Sequence, residues 1–488
     1  MAIVKNLTGK DIYQIIKKSF ELCDDCLKKS SGFRDNFQKS RQNFVIVGKN
    51  VMYRRIIEKL KKWKGSPHRK PLILQGARQT GKTWIMKEFG RSEYKNTAYL
   101  FCQENPVLEN LFAAPFDKER LLNGFQLLCG FKIEPENTLI IIDEIQDIPK
   151  AITSLKFFYE QAPEYHIICA GSLLGVSLHN GVSFPVGKVN FLNLHPLSFS
   201  EFLIAIGKGQ YESLINSKTP DIELIKSFSS ELKEFLKYYF FIGGMPEVVS
   251  TWIETNDFNE VRRVQLELLE TYKNDVSKHT SSEVANKIRQ VWDSVPSQLA
   301  KENKKFLYSV VKESARARGY ENAINWLSDA GLITKVYRVN KPGIPIKAYE
   351  DLEAFKIFVL DTGLLCSMTL LSARTLLDGN KLFTEFKGAL TEQYVCQQLV
   401  SEFQIEPFYW SSKDGSAEID FIFQNDDNVV PVEVKAEVNL QAKSLKLYRE
   451  KYNPATVFRF SLSDYINHGN LKDIPLYAIP LVKNFLDR

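Results

Sequence analysis

The 488-residue chain is 44% hydrophobic and 25% charged, a mix that excludes a collagenous or disordered protein and is too long for one hydrophobic core, so several packed domains are expected. Its apolar runs fall short of the ~18–20 residues needed to span a bilayer, and the opening MAIVKNLTGKDIYQ lacks a secretory leader's apolar stretch, which points to the cytoplasm and away from a membrane partner. The net charge of +6 is uneven: residues 1–70 hold 18 Lys+Arg against 6 Asp+Glu, a basic end that suits nucleic acid, acidic lipid or an acidic protein surface and equally a solvated helix face.

Residues 1–45 read as a basic helical extension, and the CxxC at Cys23 and Cys26 within it has no second Cys or His pair beside it, so two thiols on a helix are the plainer reading than a metal or redox site. From Tyr53 the run RRIIEKLKKW aligns Ile56, Ile57, Leu60 and Trp63 on one helical face. PLILQG is then a short strand entering glycine, and β-type runs recur at 98–102, 139–144 and 166–171 with helical stretches between them. That alternation predicts an α/β fold, a mainly parallel sheet flanked by helices, over residues 46–200.

The next stretch, 201–280, reads as a helical lid broken at Gly243-Gly244-Met245-Pro246. Residues 281–350 read as helices followed by strands at YRV and IKAYE across Lys341-Pro342-Gly343, the pattern of a winged helix. Lys312, Arg316 and Arg318 lead into its third helix, where either DNA or a protein would be met. From 351 a helix at 384–402 and the strands EIDFIF and VVPVEVK form a separate α/β unit, so the second half of the chain is expected to divide at 350/351.

Chemistry concentrates first at Gly76-Ala77-Arg78-Gln79-Thr80-Gly81-Lys82-Thr83, a GxxxxGK[ST] loop between the strand LILQ and a helix that Trp84 helps to open. Glycines let backbone N–H groups close on phosphate oxygens, Lys82 reaches the outer phosphates, and Thr83 ligates magnesium. The whole stretch 76–84 is the expected cofactor-binding segment, with ATP and Mg²⁺ as cofactors. LIIIDE then ends a buried strand in Asp143, a second magnesium ligand, and Glu144, placed to polarise an attacking water. After the next strand Ser172 either approaches the γ-phosphate or caps a helix.

In the last unit Asp420 lies thirteen residues before Glu433-Val434-Lys435. Alternation along a strand puts Glu433 and Lys435 on one side, so Asp420 and Glu433 are candidate metal ligands and Lys435 a water-orienting group for phosphodiester attack. A D…ExK spacing also arises by chance, and a binding module without catalysis accounts for it too.

With these motifs, and with LHPLSFSEFL, FIGGMPEVV, ETYKNDVSKH, NWLSDAGLI and FKIFVLDTGLL, the chain from about residue 48 onward resembles the AAA-type ATPases of bacteria and archaea whose uncharacterised C-terminal domain is related to PD-(D/E)XK nucleases. The resemblance implies an ATPase core with a sensor at Ser172, a helical lid, a winged helix and a nuclease-like unit in which Glu392 is the third acid. Where relatives commonly carry Gly-Arg, this chain has Gly187-Lys188. If that position stabilises transition-state charge, lysine is a poorer fork than arginine and turnover slows. Two functions follow from these readings: an ATP-hydrolysing enzyme coupled to a nuclease-like, DNA-associated module, or a slow ATP-dependent switch whose last domain only binds a partner.

Overall fold

The computed structural model describes residues 46–47, 50–171, 184–301, 305–378, 384–436 and 443–486. The chain divides into two compact units, Met1–Tyr53 and Arg54–Arg488. In the first, Ile46–Val47 and Asn50–Val51 pair as a small antiparallel hairpin. The basic extension expected over 1–45, with Cys23 and Cys26, lies outside the described residues.

In the second unit, five strands make a wholly parallel sheet: β1 (Leu72–Gln75), β2 (Asn96–Phe101), β3 (Thr138–Asp143), β4 (His166–Ala170) and β5 (Asn190–Asn193), in the order β2-β3-β4-β1-β5. The three central strands are apolar nearly throughout because both faces are covered. Ile73, Ile140, Ile142, Ile167 and Cys169 pack on one side under helices 106–113, 118–129 and 149–161. Leu72, Leu74, Leu139, Ile141 and Ile168 pack on the other against α1 (Ile56–Lys64) and α2 (Lys82–Glu93). The edge strand β5 was not expected from the sequence: its residues alternate between half-buried and exposed, and a four-residue edge leaves little apolar signal.

Helices then run almost without interruption from Phe199 to Asp329, among them α3 (Phe258–His279), α4 (Ser282–Leu299) and α5 (Ala317–Asp329). The expected break at Gly243-Gly244 is present, and its cause is local contact: a Cβ on Gly244 would stand 2.1 Å from the Leu197 carbonyl oxygen, so a side chain there would drive this loop off Leu197.

The second sheet differs from the expected division at 350/351. β6 (Ile333–Val339) and β7 (Glu350–Val359) form an antiparallel hairpin, and β7 crosses that position. Ile346–Tyr349, expected as part of a strand, is a single 3-10 turn. The hairpin continues into the C-terminal strands, because β8 (Phe408–Ser411) pairs parallel with β6 through Tyr409 and Trp410 opposite Arg338 and Val339. With β9 (Glu418–Asn425), β10 (Asn428–Val434), β11 (Val457–Ser461), β12 (Ile466–His468) and β13 (Leu471–Pro475), one eight-stranded sheet of order β12-β13-β11-β10-β9-β8-β6-β7 results. The physical reason is burial: Ala354–Val359 is buried at every residue, so the apolar run AFKIFV belongs inside a sheet rather than at a linker.

The helix α6 (Thr384–Phe403) packs across this junction. Its buried glutamines take the place of backbone partners. Gln393 accepts from Val359 N–H (2.8 Å) and donates to Val359 O (2.7 Å), Gln397 accepts from Thr362 N–H (2.8 Å), and Gln398 accepts from Phe199 N–H (2.8 Å). Buried amides satisfied in this way fix one register for the helix against two distant segments, 359–362 and the start of the helix at Phe199.

Candidate functional site: a phosphate loop at the parallel sheet and an acid cluster in the second sheet

The phosphate loop leaves the C-terminal end of β1 and feeds α2, with Gly81 as its N-cap residue in the left-handed region (φ 92°). Lys82 is buried, and its ammonium donates to the carbonyls of Gly76 (2.9 Å) and Ala77 (2.8 Å). Burial pushes its pKa down to about 8 against the opposing pull of Glu144 and Asp143. Thr83 Oγ1 donates to Asp143 Oδ2 at 2.7 Å, which brings the two expected magnesium ligands into direct contact at the end of β3. Asp143 is otherwise fully engaged: Tyr99 Oη donates to the same oxygen (2.9 Å), and Glu144 N–H donates to Oδ1 (3.1 Å). A hydroxyl and a carboxylate side by side are the hard oxygen donors that suit a magnesium ion, so the residues fit that group.

Glu144 occupies the left-handed region (φ 50°), and its carboxylate accepts from Gln146 Nε2 at 2.7 Å. The remaining loop residues face different surroundings. Arg78 forms an ion pair with Asp275 on α3, and its carbonyl accepts from Tyr272 Oη at 3.0 Å. Gln79 has φ 62°, Thr80 Oγ1 donates to Ala77 O at 2.8 Å, and Trp84 packs partly buried against the core shared by α1 and α2.

Arg54, only 4% exposed, was not singled out in the sequence, yet it donates from Nη1 to Thr80 O at 3.1 Å and pairs with Glu201 at 3.4 Å. One signal was available: Arg54 and Arg55 sit at the start of a helix, where cations are disfavoured by the helix dipole. The acid that compensates is Glu201, whose carboxylate also accepts from Arg55 N–H at 2.7 Å. Tyr99, Gln146 and Asp275 gave no comparable signal. A cavity of about 520 Å³ lies behind the loop, lined among others by Gly76, Ala77, His195, Gly331, Lys335 and Gln397.

Two expected catalytic positions stand apart. Ser172 lies outside the described residues. Lys188 is placed away from the phosphate loop of its own chain: it precedes β5, pairs with Glu160 at 3.1 Å and lies over the Tyr159 ring. Its neighbour Gly187 accepts from Lys70, ahead of β1, so this turn sits where the strands enter the sheet and not where they deliver Lys82 and Asp143. The expected catalytic role of Lys188 therefore finds no support at the phosphate loop of its own chain.

The C-terminal candidates do come together. Register pairing of Phe421 with Val432 brings Asp420 beside Glu433, and Asp420 Oδ2 accepts from Val434 N–H at 2.7 Å. Lys435 binds Glu433 at 2.7 Å, and Glu392 on α6 acts electrostatically on both. Burial raises the Glu433 pKa, with Lys435 pulling it back, and Glu433 Oε2 makes no hydrogen bond among the described residues.

Two participants were missed. Lys356 on β7 is 0% exposed and binds Glu418 on β9 at 2.5 Å. Burial opposes its charge, but Glu418, Glu392 and Asp420 outweigh that and raise its pKa. The cluster thus already contains two ammonium groups, and among the described residues no three His, Cys, Asp or Glu side chains are arranged to hold a metal ion. The donor set does not fit the divalent ion expected at Asp420 and Glu433.

Residues 68–203 match the AAA domain family. This segment is an AAA-type P-loop domain. Downstream of the AAA domain, residues 233–375 match a domain of unknown function (DUF8612), and residues 387–480 match another (DUF4143). No curated protein matches the chain.

Among solved structures, the Walker-type ATPase PABY2304 of Pyrococcus abyssi is 13% identical with a TM-score of 0.40, covering 64% of this chain and 94% of its own. The Orc1 protein of Aeropyrum pernix, solved in complex with DNA, is 13% identical with a TM-score of 0.26, covering 65% and 91%. The RuvB Holliday junction branch migration motor of Thermotoga maritima is 15% identical with a TM-score of 0.24, covering 58% and 90%. Among the described residues no helix is long and apolar enough to cross a membrane.

Proposed function

We propose that the AAA domain binds ATP with magnesium and hydrolyses it. The observation that carries this reading is the contact of Thr83 with Asp143, with buried Lys82 on one side and Glu144 on the other. Backbone N–H groups of residues 76–83 and the Lys82 ammonium hold the phosphates at the positive end of α2. Thr83 and Asp143 would hold magnesium, which when bound draws charge from the phosphate oxygens. Glu144 takes the proton of the attacking water, and Gln146 sets the direction in which its carboxylate points. Ser172 is the proposed γ-phosphate sensor.

Phosphate release by the full chain is expected to fall by about two to four orders of magnitude in Glu144→Gln while ATP still binds, the range typical for loss of a general base. Equal background rates in wild type and variant would remove the enzymatic reading.

A second reading, a nucleotide-dependent switch, draws on the tie between the phosphate loop and α3 through Arg78 and Asp275. Here bound ATP selects one arrangement of the helical region, and DNA or a protein is met by the exposed Lys312, Arg316 and Arg318. In this reading residues 281–350 act as a winged helix. Phosphate release measured with and without duplex DNA separates the partners: stimulation favours DNA, and no change turns the reading toward a protein.

A further inference from the structure

We infer that the acid cluster of the second sheet is neutralised from within by Lys356, so that an intramolecular ammonium fills the electrostatic place of a divalent ion. Three observations meet here. Lys356 has no exposed surface, although a lysine side chain normally keeps its charged end in water, and it is held by Glu418 at 2.5 Å. Glu392 and Asp420 act on this ammonium and on Lys435 alike, and Lys435 is bound directly by Glu433. Asp420 Oδ2 accepts from Val434 N–H, which holds this carboxylate beside Glu433 on the neighbouring strand.

The source of the cation matters. Lys356 lies on β7, within the segment matched over 233–375, whereas Glu392, Asp420 and Glu433 all lie within the segment matched over 387–480. Acids from one segment therefore receive their counter-charge from another, across a continuous sheet. Buried carboxylates without such a partner are strongly disfavoured, so withdrawing the lysine leaves a site that attracts another cation. Glu433 Oε2, buried and without a hydrogen bond among the described residues, is an oxygen left to bind it.

Manganese binding tests this, measured by calorimetry on the full chain without nucleotide. Wild type is expected to show no saturable Mn²⁺ uptake that depends on Asp420. Lys356→Met is expected to gain at least about tenfold in Mn²⁺ affinity. Its melting temperature should rise on adding Mn²⁺, and both effects should disappear when Asp420→Asn is added.

If Lys356→Met does not fold, the double variant Lys356→Met/Glu418→Gln, which removes both members of the pair, takes its place with the same expectations. Two results overturn the inference: Mn²⁺ uptake by wild type that Asp420→Asn abolishes, or a folded variant lacking Lys356 that gains no affinity.

Discussion

Lys82 shows how far one buried ammonium sets the conditions for ligand binding. With its pKa at about 8, the charge proposed to hold phosphate is lost through the mildly alkaline range in the ligand-free protein. ATP affinity is expected to weaken above pH 8, by up to about tenfold per pH unit, and binding at pH 8.5 to take up protons. Calorimetry in buffers of different ionisation heat reads both effects, and Lys82→Arg should abolish the pH dependence.

His195 acts on stability instead. Burial, helped by Arg54, lowers its pKa from 6.5 to about 4, so the unfolded chain takes up the proton first. The stability present above about pH 6.5 should be lost as pH falls toward 4, at up to about 1.4 kcal/mol per pH unit. Thermal unfolding of His195→Gln should show a flatter acid limb.

At the scale of elements, Asp361 joins three sequence motifs. Buried at the end of β7, it accepts from Gly244 N–H (2.6 Å), Leu364 N–H (3.1 Å) and Gln397 Nε2 (2.9 Å). Leu197 N–H in turn donates to Gly244 O at 2.7 Å. The stretches FIGGMPE and VLDTGLL thus meet at one carboxylate, and LHPLSF joins them through Gly244. Asp361→Ala strands several buried donors and should cost ~3–5 kcal/mol, read as a lower denaturant midpoint, with Asp361→Asn less severe.

The same scale shows what the sequence could and could not reveal. The phosphate loop was legible because its chemistry lies in eight consecutive residues between a strand and a helix. The D…ExK acids were legible because strand alternation relates neighbours on one β-hairpin. The pair Lys356–Glu418 spans 62 positions, and no local periodicity relates them. Its trace was a lysine inside the apolar run AFKIFV, where a charge has no reason to stand unless something buried answers it. β5 and the continuation of the hairpin into the last sheet depend on partners brought from far along the chain, which short-range patterns do not encode.

For the whole molecule, the eight-stranded sheet makes the last 100 residues dependent on what precedes them. A fragment beginning at 384 would lose β6 and β7, leave β8 as an unpaired edge, and strip Lys356 from the buried acids. It is expected to show no cooperative thermal transition, whereas a fragment of residues 54–488 should unfold cooperatively; circular dichroism against temperature distinguishes the two. Glu402 adds a second tie, since its buried carboxylate meets Arg55 ahead of α1, Ser198 before the helix 199–205 at 2.6 Å, and Lys483 near the C-terminus at 2.6 Å.

The turn after α5 gives the phosphate loop a mechanical neighbour. Gly331 (φ 72°) lies so near that a methyl group on it would sit 3.2 Å from the Ala77 nitrogen, and two residues later the chain enters β6. The back of the phosphate loop and the first strand of the second sheet are therefore only a short turn apart. A displacement of Ala77 toward Gly331 is expected to press on the turn that leads into β6, where no side chain stands between them.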